Sequence, residues 1–186
     1  MNMELPKFRY HPDPVRSGSL EESDKECVSC GQARGYIYAG PVYTEADVED
    51  AICPWCIADG SASEKFDATF FDDAELPDEI PEEARDEIIH RTPGFATWQN
   101  GKWLACCGDA MAFLEPVGSQ EIRERYRKVE GSLMSYIVYE MHVSGGAANR
   151  LLQGLQRDAG PTGYVFQCTN CESQNGFIDG IFSVGE

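Results

Sequence analysis

The sequence has no long hydrophobic run and few basic residues, and both shortages exclude classes of function. No apolar stretch approaches the roughly 18 to 20 residues that a membrane-spanning helix needs. Only 15 of the 186 residues are Lys or Arg, against 32 that are Asp or Glu, so the formal net charge is -17. Because nucleic-acid-binding surfaces need clustered Lys and Arg, this composition argues against direct binding of nucleic acid.

The N-terminus also lacks the features of a secretory signal. Its first residues, MNMELPKFRYHPDP, show no charged start followed by an apolar stretch. We therefore expect a cytoplasmic protein. Thiols are kept reduced in that compartment, so the eight cysteines are better suited to metal binding or redox chemistry than to structural disulfides.

The composition is that of a globular protein, with 42% hydrophobic and 11% aromatic residues. We predict an α+β fold with zinc-ribbon-like hairpins, CxxC knuckles, a few short helices and an antiparallel sheet. Residues 1–60 are expected to form an N-terminal arm and a zinc-knuckle lobe. Residues 61–186 are expected to hold an acidic segment and an α+β body, packed with the first part as one compact unit.

Local patterns predict individual elements. Capping residues and apolar spacing favour helices over 44–53, 81–91, 119–129 and 147–156, with Ser119 as one N-cap and Gly160-Pro161 ending the last helix. Asn100-Gly101 predicts a hairpin turn between two aromatic segments, and Gly40-Pro41 marks a break in a hairpin between two cysteine pairs. Strand-like runs cover 162–168 and 176–184.

Two CxxC pairs near the N-terminus predict a metal site. Zinc in structural sites takes four tetrahedral ligands, and a CxxC turn supplies two of them. The spacing of 22 residues between the pairs suits one shared zinc ion, held by Cys27, Cys30, Cys53 and Cys56. The alternative is a redox motif at CPWC, but no βαβ pattern surrounds it.

A second cysteine group is less regular. Cys168 and Cys171 form a third CxxC pair, and Cys107 is predicted to join them in a possible second zinc site. Adjacent residues on a strand point in opposite directions, so Cys106 is interpreted as a small buried hydrophobe unless the backbone turns sharply at Gly108. The fourth ligand stays open among Cys106, His90, His142 and Asp109.

The same residues allow an enzymatic alternative. A nucleophilic cysteine in CCGDA would need His90 or His142 as its base and Asp109 to orient that base. A catalytic zinc on Cys107, Cys168 and Cys171 would keep its fourth position for water. Sequence alone does not bring these groups together, and we regard catalysis as the less favoured prediction.

Negative charge is concentrated between Glu64 and Glu87. This stretch holds 11 acidic and 2 basic residues, a net charge of -9 and more than half of the total. Such a run is commonly a solvated face, but it also suits a basic protein partner through electrostatic steering. We expect that partner to be a basic toxin or nuclease. The sequence does not set the oligomeric state.

Four blocks of the sequence resemble the CbrC family, small bacterial proteins named for a member linked to tolerance of nuclease colicins. The blocks are FRYHPDPVRSGS, CPWCIADGSASEKFDATF, RTPGFATWQNGKWLACCGDAMAFL and YVFQCTNC. The resemblance implies a role in bacterial stress or colicin tolerance. The pattern of that family has a further cysteine four residues after Cys107, where this chain has Met111, which implies that the second site is one cysteine short.

Together these patterns predict a zinc-binding protein that acts by binding a protein partner and not by catalysis.

Overall fold

The computed structural model describes residues 4–48, 50–99 and 101–180. Within these ranges the strands form small antiparallel sheets, and short helices pack around them, so the predicted α+β fold with zinc-ribbon-like hairpins is confirmed. No helix in this part of the chain is both long and apolar enough to cross a membrane.

The first part of the chain is a short helix followed by a hairpin and two further helices. Strand β1 pairs with β2 in register, with Leu20 opposite Tyr38. The hairpin carries Cys27 and Cys30 in its loop, so it is not the hairpin between the two cysteine pairs that the sequence predicts. The elements are α1 (Pro14–Ser17), β1 (Leu20–Ser23), β2 (Gly35–Tyr38), α2 (Pro54–Ala58) and α3 (Ser61–Phe66).

The helix predicted over 44–53 is wrong for every described residue of that range. The Thr44 hydroxyl accepts a bond from the Ala46 N–H (3.2 Å) and donates to the carbonyl of Phe66 (2.6 Å), which closes a local turn. Pro54 also disfavours helical backbone at Cys53, which is extended (φ -83°, ψ 152°). The helix therefore begins at Pro54 and not before it.

The acidic segment is ordered and ends in a helix. A 3₁₀ turn covers Asp73–Glu75, and α4 covers Glu82–Arg91 with Pro81 as its N-cap. The predicted helix is confirmed, and it stops before Pro93 as expected. Ile88 and Ile89 are buried, so α4 places its apolar face on the core and its acidic face in solvent.

The second half of the chain is built around a three-stranded antiparallel sheet with β6 at its centre. The sheet consists of β5 (Ala112–Val117), β6 (Thr162–Gln167) and β7 (Gln174–Asp179). The two predicted strands are confirmed as β6 and β7, and residues 181–184 of the second prediction lie outside the described residues. Between β5 and β6 lie α5 (Ser119–Glu124), a 3₁₀ turn (Arg127–Val129), α6 (Glu130–Tyr139) and α7 (Gly145–Gln153).

Two of these helices differ in detail from their predictions. The N-cap of α5 is Gly118 and not Ser119, and the Glu121 carboxylate accepts the Gly118 N–H at 2.8 Å. Of the remaining residues predicted as helix to 129, Arg127–Val129 form the 3₁₀ turn, and residues 125–126 connect it to α5. Helix α7 ends at Gln153 with Gly154 as its C-cap, several residues before Gly160-Pro161.

Both faces of the central sheet are buried, and the side chains of β6 pack into a different hydrophobic cluster on each face. Because successive side chains on a strand point to opposite faces, Tyr164 and Phe166 join an aromatic cluster, while Val165 joins the cluster under the helices. The aromatic cluster includes Phe95, Trp103, Phe113 and Phe177, and the helical cluster includes Val129, Leu133, Ile137, Leu151 and Ile178. A third cluster surrounds the N-terminal cysteines. The boundary predicted at residue 60 stays a prediction.

The structure contains a small hairpin that the sequence does not predict. Strands β3 (Ala105–Cys106) and β4 (Asp109–Ala110) pair antiparallel across Cys107 and Gly108. Of the hairpin predicted at Asn100-Gly101 between 95–99 and 102–107, Asn100 lies outside the described residues. Segment 95–99 forms no strand, and the strand within 102–107 is β3, which pairs with β4.

Candidate metal centres

The four N-terminal cysteines converge as predicted. Their sulfur atoms all lie within 4.8 Å of one another, with Cys27 and Cys56 at 3.9 Å and Cys30 and Cys53 at 4.0 Å. Zinc–sulfur bonds of about 2.3 Å in a tetrahedron place the sulfurs about 3.8 Å apart. A disulfide would need about 2.05 Å. The thiols therefore have the spacing of metal ligands.

Two different local structures supply these sulfurs. Cys27 and Cys30 lie on a tight turn, closed by the Gly31 N–H to the Cys27 carbonyl at 2.7 Å, where Gly31 adopts a positive φ of 68°. Cys53 is the N-cap of α2, and Cys56 follows within its first turn. The group therefore connects the β1–β2 hairpin to the start of a helix.

Burial and backbone N–H groups govern the chemistry of this first group. Cys27, Cys53 and Cys56 are at most 2% exposed. Burial opposes ionisation of Cys27, but backbone N–H groups, including that of Cys53 at 3.2 Å, outweigh it and lower the pKa of its thiol to about 7. Burial raises the pKa of Cys53. Protons still held by the metal-free group would leave on zinc binding.

A second group of four cysteines forms at Cys106, Cys107, Cys168 and Cys171. Their sulfur atoms also lie within 4.8 Å of one another, with Cys106 at 3.7 Å from Cys107 and 3.8 Å from Cys171. The interpretation of Cys106 as a buried hydrophobe is wrong, because its side chain is partly exposed and its sulfur belongs to the group.

The turn between β3 and β4 explains how adjacent cysteines reach one centre. Cys107 and Gly108 both have positive φ, at 56° and 73°. Positive φ at both central residues is the hallmark of the tight two-residue hairpin turn, which reverses the chain at once. The sharp turn at Gly108 therefore turns Cys107 out of the strand alternation that would separate it from Cys106.

The other half of the second group is the turn between β6 and β7. The backbone N–H groups of Asn170 and Cys171 both point at the Cys168 sulfur, at 3.4 Å. The hydroxyl and N–H of Ser173 lower the pKa of Cys171 to about 6, whereas hydrogen bonding to the Cys106 thiol raises the pKa of Cys107 to about 12. Cys107 and Cys171 are exposed, unlike most of the first group.

The alternative ligands predicted for the second group, His90, His142 and Asp109, are not part of it. His90 contacts Asp86 on α4 at 2.9 Å, and His142 is exposed. Asp109 is held by Arg9 at 2.6 Å and Tyr10 at 2.9 Å. The second group consists of cysteines alone, so the structure does not place a histidine base beside Cys107.

This chain has Met111 where the CbrC family pattern has a cysteine, and the second group still contains four thiols. Its side chain is 1% exposed in the aromatic cluster, and its carbonyl accepts the Trp103 indole N–H at 2.7 Å. The shortage of one cysteine implied by the resemblance is filled by Cys106.

Two buried polar sites were not found by sequence reasoning. His11 is fully buried between the Pro93 carbonyl (2.6 Å) and the Ser17 hydroxyl (2.7 Å), and burial lowers its pKa to about 4. Glu115 is also fully buried and accepts bonds from Tyr126 at 2.5 Å and Arg157 at 2.6 Å. The Pro-flanked block YHPDP was the available signal for His11, and Glu115 had none.

A known protein family resembles this chain along nearly its whole length. A model described as an uncharacterised protein family, UPF0167, matches residues 5–180. The chain belongs to the UPF0167 family. UPF0167 proteins of Mycobacterium bovis and Mycobacterium tuberculosis are each 44% identical to it over 176 residues, covering 94% of this chain and 93% of theirs. A UPF0167 protein of Pseudomonas aeruginosa is 39% identical over 173 residues, covering 92% of this chain and 94% of its own.

No solved structure matches the chain. The descriptions of these UPF0167 relatives mention neither CbrC nor colicins, so the resemblance to the CbrC family stays a prediction.

Proposed function

We propose that this UPF0167 protein is a non-catalytic, zinc-stabilised cytoplasmic protein that binds a basic protein partner through its acidic segment. The observation that carries the proposal is the pair of four-thiol groups, each with the spacing of a tetrahedral zinc site. Four thiolates at one centre favour zinc or an iron–sulfur cluster, and zinc needs no further ligand there.

Each group joins parts of the chain that are distant in sequence. The first connects the β1–β2 hairpin to α2, and the second connects the two-residue strands β3 and β4 to the β6–β7 turn. Structural zinc in small peptides contributes about 10 to 16 kcal/mol of apparent binding energy. Zinc at both sites would therefore stabilise elements too short to be stable alone.

The acidic segment carries many carboxylates close together in the chain, and most of them make no ion pair within the described residues. Asp73 pairs with Arg85, and Asp86 pairs with Arg91 at 3.0 Å. Among the other exposed carboxylates of the segment, four lie just before or at the start of α4 and make no ion pair within the described residues: Asp78, Glu79, Glu82 and Glu83. We define these four as the acidic surface. Such a surface accelerates association with a positively charged partner.

A basic toxin or nuclease domain fits this surface because nuclease active sites are positively charged to hold phosphate. Binding of that kind would account for a role in bacterial stress or colicin tolerance, which the resemblance implies. The enzymatic alternative gains less support, since the Cys106 thiol takes the fourth position that a catalytic zinc would keep for water.

The test reverses the charge of the acidic surface. A variant with Asp78, Glu79, Glu82 and Glu83 changed to Lys should bind an immobilised colicin nuclease domain at least about tenfold more weakly, and its residual binding should lose its salt dependence. Surface plasmon resonance at two salt concentrations measures both effects.

The matched control makes the same change in net charge elsewhere. Glu21, Glu22, Asp24 and Glu26 are four exposed carboxylates around strand β1. Their reversal to Lys should weaken binding much less. Equal binding by the wild type and the first variant would contradict a role for the acidic surface.

A further inference from the structure

The two cysteine groups differ sharply in their exposure to solvent. In the first group three of the four cysteines are at most 2% exposed, and only Cys30 is partly exposed. In the second group only Cys168 is buried, Cys106 is partly exposed, and Cys107 and Cys171 are exposed. Both groups consist of four cysteines, but those of the second group are more accessible to dissolved reagents.

We propose that the second group is an oxidation site, at which a peroxide joins Cys106 to Cys171 and releases the zinc ion while the first site keeps its own. The inference rests on the proposed function for the presence of zinc at both groups. Oxidation of cysteine follows thiolate character and exposure, and zinc-bound sulfur is thiolate.

The reaction needs two steps. The Cys171 thiolate attacks one oxygen of hydrogen peroxide, which forms an S–O bond, breaks the O–O bond and releases hydroxide, leaving a sulfenic acid. The Cys106 thiolate then attacks that sulfur, forms the S–S bond and displaces a second hydroxide. Two electrons pass from the two sulfurs to the peroxide, and the two hydroxides take up protons to become water.

The geometry selects this pair of sulfurs. Cys106 and Cys171 lie 3.8 Å apart on different hairpins, so a small movement of one hairpin brings them to bonding distance. Cys107 lies equally near Cys106, at 3.7 Å, but a disulfide between adjacent residues closes a small ring containing their peptide bond. The zinc ion would keep only Cys107 and Cys168 and would dissociate.

A neighbouring hydroxyl supports the first step. The Ser173 side chain lies 3.1 Å from the Cys171 sulfur and 3.6 Å from the Cys106 sulfur. A hydroxyl at this position can donate a hydrogen bond to a thiolate or to the departing hydroxide. The first group offers less access, since three of its four cysteines are buried in the third hydrophobic cluster and become accessible through local opening.

The experiment titrates the zinc-loaded protein with hydrogen peroxide. Native mass spectrometry counts the zinc ions, a colorimetric zinc chelator follows their release with time, and peptide mapping identifies the disulfide. One zinc ion should leave at least about tenfold faster than the other, because the buried site must open first. The disulfide should join Cys106 to Cys171, and the four N-terminal cysteines should remain reduced.

A double variant, Cys106→Ser with Cys171→Ser, serves as the control. It should retain the zinc ion of the first site and release none in the period in which the wild type releases one. Because its second group keeps only Cys107 and Cys168, this variant reports on the first site, and release of that zinc ion in the same period would contradict the proposal.

The outcomes separate this inference from the proposed function. Loss of both ions at one rate, faster loss from the first site, or resistance of both sites would overturn the oxidation site. A starting protein that holds fewer than two zinc ions would instead contradict the zinc-stabilised scaffold.

Discussion

Among single residues, the adjacent Cys106 and Cys107 show most clearly where sequence reasoning stops. The spacing of the CxxC pairs was enough to group Cys27, Cys30, Cys53 and Cys56, because that motif carries its own turn. No such spacing groups Cys106 with Cys107. Their convergence depends on left-handed backbone at Cys107, a non-glycine residue for which the sequence gives no signal.

His11 leads to a prediction about acid stability. Its pKa falls from about 6.5 in the unfolded chain to about 4 in the fold because it is fully buried. The unfolded chain therefore binds a proton below pH 6.5 that the folded chain excludes. Its contribution to stability is complete above pH 6.5 and is lost toward pH 4, at up to about 1.4 kcal/mol per pH unit.

Urea unfolding at pH 7 and pH 5 measures this effect. His11→Gln should lower stability at pH 7 by about 1 to 3 kcal/mol through its broken buried hydrogen bonds, and it should lose less than the wild type between pH 7 and pH 5. His142→Gln, at an exposed histidine, should keep the full acid sensitivity. An unchanged pH dependence in His11→Gln would contradict the buried neutral imidazole.

For helices and strands, local signals succeeded where they agreed with one another. Pro81 before an acidic first turn and Pro93 after the end correctly bounded α4. The prediction of a helix over 44–53 is wrong because the Thr44 hydroxyl bonds to the Ala46 N–H and to the Phe66 carbonyl, and because Pro54 disfavours helical backbone at Cys53. The β3–β4 hairpin was too short for any strand pattern to be visible.

The β3–β4 turn supplies a second prediction. Gly108 has a φ of 73°, and a Cβ there would meet no atom within 4 Å, so backbone strain and not crowding limits substitution. Gly108→Val should destabilise the protein by about 1 to 2 kcal/mol and weaken zinc binding at the second group. Gly108→Asn should cost less, because Asn tolerates left-handed backbone.

Thermal unfolding and zinc competition with a chelator compare the two variants. Only the second, more exposed zinc should become easier to remove in Gly108→Val, since the first group shares no element with this turn. Equal effects of Val and Asn would show that the turn does not depend on left-handed backbone.

In the molecule as a whole, the sequence predicted the fold class and the first cysteine group but not the relation between the two groups. Each group joins residues that are distant in the chain, such as Cys106 and Cys171, and only the folded core brings them together. The location of the acidic segment and its net charge could be predicted from the sequence alone. Which of its carboxylates are paired depends on the contacts that Arg85 and Arg91 make, and composition does not show those contacts.

The metal content of the whole molecule tests the central claim most directly. Native mass spectrometry of untagged protein, with elemental analysis to identify the ion, counts the metal ions held by the eight cysteines. Two zinc ions per chain is the result that two complete four-thiol groups predict. One zinc ion, none, or an iron–sulfur cluster would contradict the account of a fold held by two structural zinc sites.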